Sequence, residues 1–142
     1  MESSIYLKSV PLHVEGHENK LLKALHDQRR DGQLCDVSLV VENESFPAHK
    51  AVLASHSLYF QALFDQGKDS DAAVSKVCNV TTIHLSSISL NTFIPILHFL
   101  YTSKLHLFAE NVRDVAKTGQ KLQIDSIVQA CERVMRENIA LP

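Results

Sequence analysis

LCDVSLVVENESFPAHKAVLASHS, running from Leu34 to Ser57, decides how this chain folds. Val37, Leu39 and Val41 alternate with Ser38 and Glu42, the period of a strand with one buried face. Glu42-Asn43-Glu44-Ser45 supplies turn chemistry, and Phe46 begins a second strand. Pro47 has no N–H to give to a ladder, which places that strand at an edge or leaves it paired on one side only. The hairpin then carries opposite charges at ends that can meet: Asp36 heads the first strand, and His49-Lys50 close the second.

Upstream, Ile5-Tyr6-Leu7 and Leu12-His13-Val14 alternate briefly as strands do, each too short to be stable alone. His17 to Arg30 reads as a helix with Leu21, Leu22 and Leu25 on one face, stopped by Gly32. Downstream, Val52, Leu53, Leu58, Phe60, Leu63 and Phe64 belong to a pair of short helices. Residues 65–81 are polar and irregular and read as a long surface loop; an extra strand or a partner contact is the alternative. Thr82 to Leu85 is a third strand. Asn91 caps a helix bearing Phe93, Ile96, Leu97, Leu100 and Tyr101, with Pro95 placed near its first turn. Leu105 and Leu107 suggest another short strand. Two amphipathic helices follow, lined by Val112, Val115, Ala116, Gly119 and Leu122, then by Ile127, Val128, Cys131, Val134 and Met135. The order predicts an α+β domain, mainly helical around a small sheet.

Composition narrows the chemistry. The 142 residues suffice for one domain with a substantial core, and 14 basic against 16 acidic side chains leave a net charge of −2. That is no footprint for a nucleic-acid backbone, so direct binding of nucleic acid by these residues is not expected. Three separated cysteines, Cys35, Cys78 and Cys131, argue for a reducing compartment. The start MESSIYLKSV lacks the pattern of a secretory signal, and no apolar run approaches the roughly 20 residues of a membrane span. The glycosylation-like triplets at Asn43 and Asn79 are then chance matches.

Searching for a catalytic or cofactor site returns little. The glycines at 16, 32, 67 and 119 are too dispersed to cradle a phosphate. His17-Glu18 begins a zincin-like pattern, but Leu21 stands where the second histidine belongs. His49 and His56, seven residues apart, do not complete a coordination shell. Cys35 has no evident basic activator and no serine sits in a glycine-flanked elbow. The expectation is a non-enzyme without cofactor or metal. The apolar Leu12 and Val14 must be buried somewhere, within the same chain or against a second copy, and patterning leaves both open.

Four blocks in order, LCDVSLVV, FPAHKAVLASHSLYFQALF, FLYTSKLHL and KLQIDSIVQAC, resemble the BTB/POZ domain. The likeness runs from about Leu12 to about Glu137. It implies an N-terminal extension at 1–11, the domain at 12–137 with the 65–81 loop as an insertion, and the start of a linker at 138–142. LHVEGHENKLLKALHDQRRDGQLCDV is similar to the segment preceding this domain in members that carry zinc fingers, and in many that carry kelch repeats.

In that family form the leading strand is exchanged between two copies. The implied homodimer interface therefore holds Leu12, Val14, His17, Leu21, Leu22 and Leu25. Asp36 and Lys50 match a charged pocket near the dimer axis. Ala24, Asp27, Gln28 and Asp31, with His49 nearby, match a lateral groove that takes corepressor peptides, although this face carries two aspartates where the family is often more basic. The resemblance implies a homodimerisation and interaction domain of a nuclear zinc-finger transcription regulator, most often a repressor, able to pair with itself or with related BTB proteins. The alternative is a cytoplasmic substrate adaptor that recruits the cullin scaffold of a ubiquitin ligase. Phe64-Asp65-Gln66-Gly67-Lys68 fits the apolar-x-acidic motif of that branch poorly.

Overall fold

The hairpin between Val37 and Ala48 forms, and its turn is as tight as two residues allow. The computed structural model describes residues 5–66, 72–77 and 79–142. Strands β1 (Val37–Val41) and β2 (Glu44–Ala48) pair antiparallel, with Val37 opposite Ala48 and Val41 opposite Glu44. Glu42 and Asn43 between them take φ of 49° and 70°. A two-residue turn with both central residues left-handed matches the twist of the strands it joins. β2 is an edge strand, as Pro47 requires.

On its other side β1 pairs in parallel with β4 (Val80–Leu85), which pairs antiparallel with β3 (Ala72–Val77). The sheet order is β2-β1-β4-β3. This corrects the reading of 65–81 as a loop. Much of it is ladder, with Val77 opposite Val80 and Asn79 at φ 64° in the connection. Cys78 lies outside the described residues.

Six helices occur among the described residues: α1 (His17–Asp31), α2 (Lys50–His56), α3 (Leu58–Gln66), α4 (Leu90–Thr102), α5 (Val112–Lys121) and α6 (Asp125–Arg136). Gly32 ends α1 at φ 69°, and the Gln33 N–H bonds the Gln28 carbonyl at 2.7 Å. Ser57 opens α3: its Oγ accepts the Phe60 N–H at 3.0 Å and donates to the Leu122 carbonyl at 2.5 Å. The expected cap at Asn91 is displaced. Ser89 is the N-cap of α4, and the Leu90 N–H is taken by Glu42 Oε2 at 2.6 Å, so the hairpin turn itself seats the helix. Pro95 falls in the second turn of α4, where it leaves the exposed Asn91 carbonyl without an intrahelical donor.

Val37, Leu39 and Val41 bury one face of the sheet with Ile83 and Leu85, against Leu53, Phe60, Phe93, Ile96, Leu97 and Leu100. Each such side chain contributes roughly 1.5–3 kcal/mol on burial. α5 and α6 close the core with Val115, Leu122, Ile127 and Cys131. Met135, expected on the buried face of α6, is exposed.

Three further expectations change. Ile5-Tyr6-Leu7 is part of a turn, closed by the Ser9 N–H on the Tyr6 carbonyl at 3.1 Å. Leu105 and Leu107 form no strand and have no ladder partner among the described residues; both pack half-buried against the core. The tail at 138–142 docks rather than leaves: the Ala109 N–H bonds the Pro142 carbonyl at 3.2 Å, and Leu141 packs on the core.

Candidate functional site

Asp36 and Lys50 come together, but not as two side-chain charges. Pairing of Val37 with Ala48 sets the residue before β1 beside the start of α2. The Asp36 carboxylate accepts the main-chain N–H of Lys50 at 2.8 Å. It thereby caps a helix whose own N-cap, His49, offers no side-chain bond. Lys50 Nζ lies 5.6 Å from the Phe64 ring centroid. Asp36 is exposed and Lys50 half-buried. Within one protomer the expected charged pocket is thus a helix cap beside a cation–π contact.

His49 is buried and fully engaged. Its main-chain N–H donates to the Tyr101 hydroxyl at 2.9 Å, and that hydroxyl donates to Nδ1 at 2.8 Å. Nε2 then carries the hydrogen, given to the Gln33 carbonyl at 3.1 Å. Burial pushes the Tyr101 phenol up to about 12, despite the opposing His49 N–H.

The structure supplies the neighbour that Cys35 was expected to lack: His49 Nε2 stands 3.8 Å from its sulfur. Nε2 is already a donor, so it cannot take the thiol proton. Burial and then the Asp36 carboxylate raise the Cys35 thiol above its ordinary value. Cys131, enclosed in the core, is pushed up to about 11 by burial. Neither is an activated nucleophile. His56 packs near Phe99, away from His49. Among the described residues no group of three or more His, Cys, Asp or Glu is placed to hold a metal ion. No helix there is long and apolar enough to cross a membrane.

Of the residues matched to the lateral groove, the structure brings two together. Gln28 and His49 line a cavity of about 490 Å³ with Leu25, Leu34 and Asp36. Ala24 is exposed outside it. Asp27 is held by Lys23 at 3.0 Å and Arg30 at 3.5 Å, and Asp31 by Arg30 at 3.4 Å. The Lys23 hydrogen bond draws the Asp27 carboxyl below its ordinary value. The two aspartates are therefore partly neutralised within α1.

Leu34, on which the sequence pattern is silent, is the unexpected member. It is 80% exposed at φ 58°, a left-handed conformation that a branched apolar residue avoids. Nothing in its residue type signals this. The signal lies in the chain path, which reverses between the end of α1 and β1.

The residues matched to the dimer interface separate into two sets. Leu12 (82% exposed), Val14 (69%) and Leu21 (55%) face outward, continuous in sequence with exposed Ile5, Tyr6, Leu7 and Val10. His17 is exposed as well, Leu22 is half-buried, and Leu25 packs inward against the core. So many exposed large apolar side chains in one stretch are uncommon on a monomer.

An α+β core with an exposed apolar leading segment, and with Asp36 spent on capping α2, is the frame of a protein-interaction domain. Likeness to known proteins gives its family. The BTB/POZ domain model matches residues 25–139. Zinc finger and BTB domain-containing protein 5 of Mus musculus and of Homo sapiens are each 35% identical over 120 residues, covering 84% of this chain and 17% of theirs. Zinc finger and BTB domain-containing protein 49 of Homo sapiens is 37% identical over 123 residues, covering 87% and 15%. The solved BTB domain of zebrafish PATZ1 superposes with a TM-score of 0.77 at 34% identity, covering 91% of this chain and 99% of that one. The chain belongs to the BTB/POZ family. Domains of this family mediate dimerisation and protein interactions and are generally non-catalytic. The chain spans about a sixth of the length of the curated relatives it matches.

Proposed function

We propose that this chain is the homodimerisation and partner-recruiting domain of a nuclear zinc-finger transcription regulator that acts as a repressor. One observation carries the reading: the apolar run from Ile5 through Val14 to Leu21 is exposed in the single chain. Leu12–Val14 has no ladder partner among the described residues, and neither has the segment at Leu105 and Leu107. Two unpaired strips on one molecule suit an exchange in which each copy lays its leading strand beside the other's sheet. The groove around Leu34, Gln28 and His49 is then the place for a corepressor segment. The zinc-finger names of the relatives support the regulator over the cullin adaptor.

Sedimentation equilibrium at micromolar concentration tests the pairing. A dimer is expected, and removal of residues 1–14 should return a monomer. A folded, full-length lone protomer would overturn the reading. Fused to an unrelated DNA-binding domain, the chain should lower expression of a reporter; unchanged expression would remove the repressor role alone.

A further inference from the structure

Three histidines meet on the seam between α1 and α4. His26 of α1 stands edge-on to His98 of α4 with ring centroids 5.8 Å apart, and His98 lies 5.2 Å from His106, just beyond α4. Cations surround them. Arg29 sits 5.0 Å from the centroid of Tyr101, and its Nη2 donates to His26 Nδ1 at 3.4 Å. Lys23 and Arg30 of α1 face His26, and Lys104 faces His98. Asp27, the one carboxylate acting on His26, is already shared between Lys23 and Arg30. A cavity of about 420 Å³ lined by His26, His98 and Tyr101 lies along the seam.

The geometry favours neutral rings. A guanidinium can only donate, so His26 Nδ1 must accept, and a second proton there would turn the bond into two opposed N–H groups. Charging His98 would set it against His26, His106, Arg29 and Lys104 at once. We propose that this cluster is a proton-operated latch: neutral it seals α1 to the core, and protonated it drives α1 away and dismantles the dimerisation surface. The part concerning the dimer rests on the function proposed above; the part concerning α1 does not.

Burial first, then Arg29 for His26 and His106 for His98, hold both rings below the ordinary 6.5. A histidine whose folded value is lowered is neutral in both states above 6.5. The unfolded chain then takes up protons first as pH falls. The α1–α4 seam should therefore be intact above pH 6.5 and weaken below it.

Hydrogen exchange at α1 amides and sedimentation equilibrium, each at about pH 7.5 and about pH 5.5, test this. Protection of α1 should fall on acidification, and the dimer dissociation constant should rise by roughly ten-fold between the two conditions. The double variant His26→Gln/His98→Gln should lose most of that response. If it does not fold, His106→Gln at an exposed position serves: NMR should show His98 titrating at higher pH than in the parent. Unchanged α1 protection, equal responses in parent and double variant, or an unmoved His98 titration would overturn the latch. A chain monomeric at both pH values would overturn the dimer reading, while α1 exchange would still decide the latch.

Discussion

The carboxylate of Asp36 accepts the Lys50 amide at 2.8 Å, while the Lys50 ammonium rests on Phe64 instead. Removing either side chain should therefore have unequal effects. Asp36→Ala deletes the cap of α2 and should cost about 1 kcal/mol, whereas Asp36→Asn keeps an acceptor and costs less. Lys50→Met leaves the capped amide in place and should stay within about 0.5 kcal/mol of the parent. Urea unfolding at fixed protein concentration separates these cases. A Lys50→Met loss as large as that of Asp36→Ala would restore the ion pair.

Tyr101 joins α4 to the start of α2 through His49, over 52 residues of sequence. Tyr101→Phe strips an acceptor from a buried N–H and a donor from Nδ1. It should lower stability by about 1–3 kcal/mol. The pH dependence has a definite sign, because burial raises the phenol from 10.0 to about 12. The unfolded chain ionises first, so the tyrosine's contribution is complete below pH 10 and declines as pH rises toward 12. Alkaline titration of unfolding should show a slope in that window that Tyr101→Phe lacks.

Gly119 of α5 faces Ile127 of α6 with no room for a side chain. A Cβ there would stand 2.9 Å from Ile127 Cγ2 and 3.4 Å from Ile127 Cβ, both on a buried, branched side chain. Gly119→Ala should thus destabilise by about 1–3 kcal/mol, although alanine favours helices. Gly119→Ala combined with Ile127→Val should recover part of that loss. Thermal melting of both variants checks it; a Gly119→Ala protein as stable as the parent would show the interface can yield.

Leu25 and Leu12 lie in one expected interface but answer to different neighbours. Leu25 packs on the core of its own chain, whereas Leu12 is 82% exposed. Leu25→Asp should therefore unfold the protein, by far-ultraviolet circular dichroism. Leu12→Asp with Val14→Asp should preserve the helical signal of the protomer and shift sedimentation toward monomer. Loss of helical signal in both would mean that the protomer has no stable existence apart from its mate.

What the sequence made legible was local. Val37, Leu39 and Val41 announce their strand by period, Pro47 its edge, and Gly32 the end of α1. All three signals act within a few residues. The missed features join distant segments: Glu42 seats α4 from 48 residues away, and Tyr101 reaches His49 across 52. Residue type alone carries no record of such partners. β3 was obscured for another reason. Ala72–Val77 mixes small, polar and branched residues, and its pairing with β4 is fixed by the neighbour more than by its own alternation. The site divides likewise. Asp36 and Lys50 were found as a pair, but which of their atoms meet depended on the start of α2.

Leu34 gives the last test, because its backbone and its side chain pull in opposite directions. At φ 58° and 80% exposure it holds a disfavoured conformation and buries little within its own chain. Asparagine tolerates that region, so Leu34→Asn should raise the protein's stability by about 1 kcal/mol. Leu34→Val puts a β-branched residue where leucine is already strained and should lower it by a similar amount. Both are read as urea midpoints at constant protein concentration, so that assembly does not enter the comparison. Matching midpoints for the two variants would show that the turn after Gly32 relaxes without cost. A stabilised Leu34→Asn that also binds the proposed corepressor segment more weakly would show that the strain is kept for the apolar surface it presents.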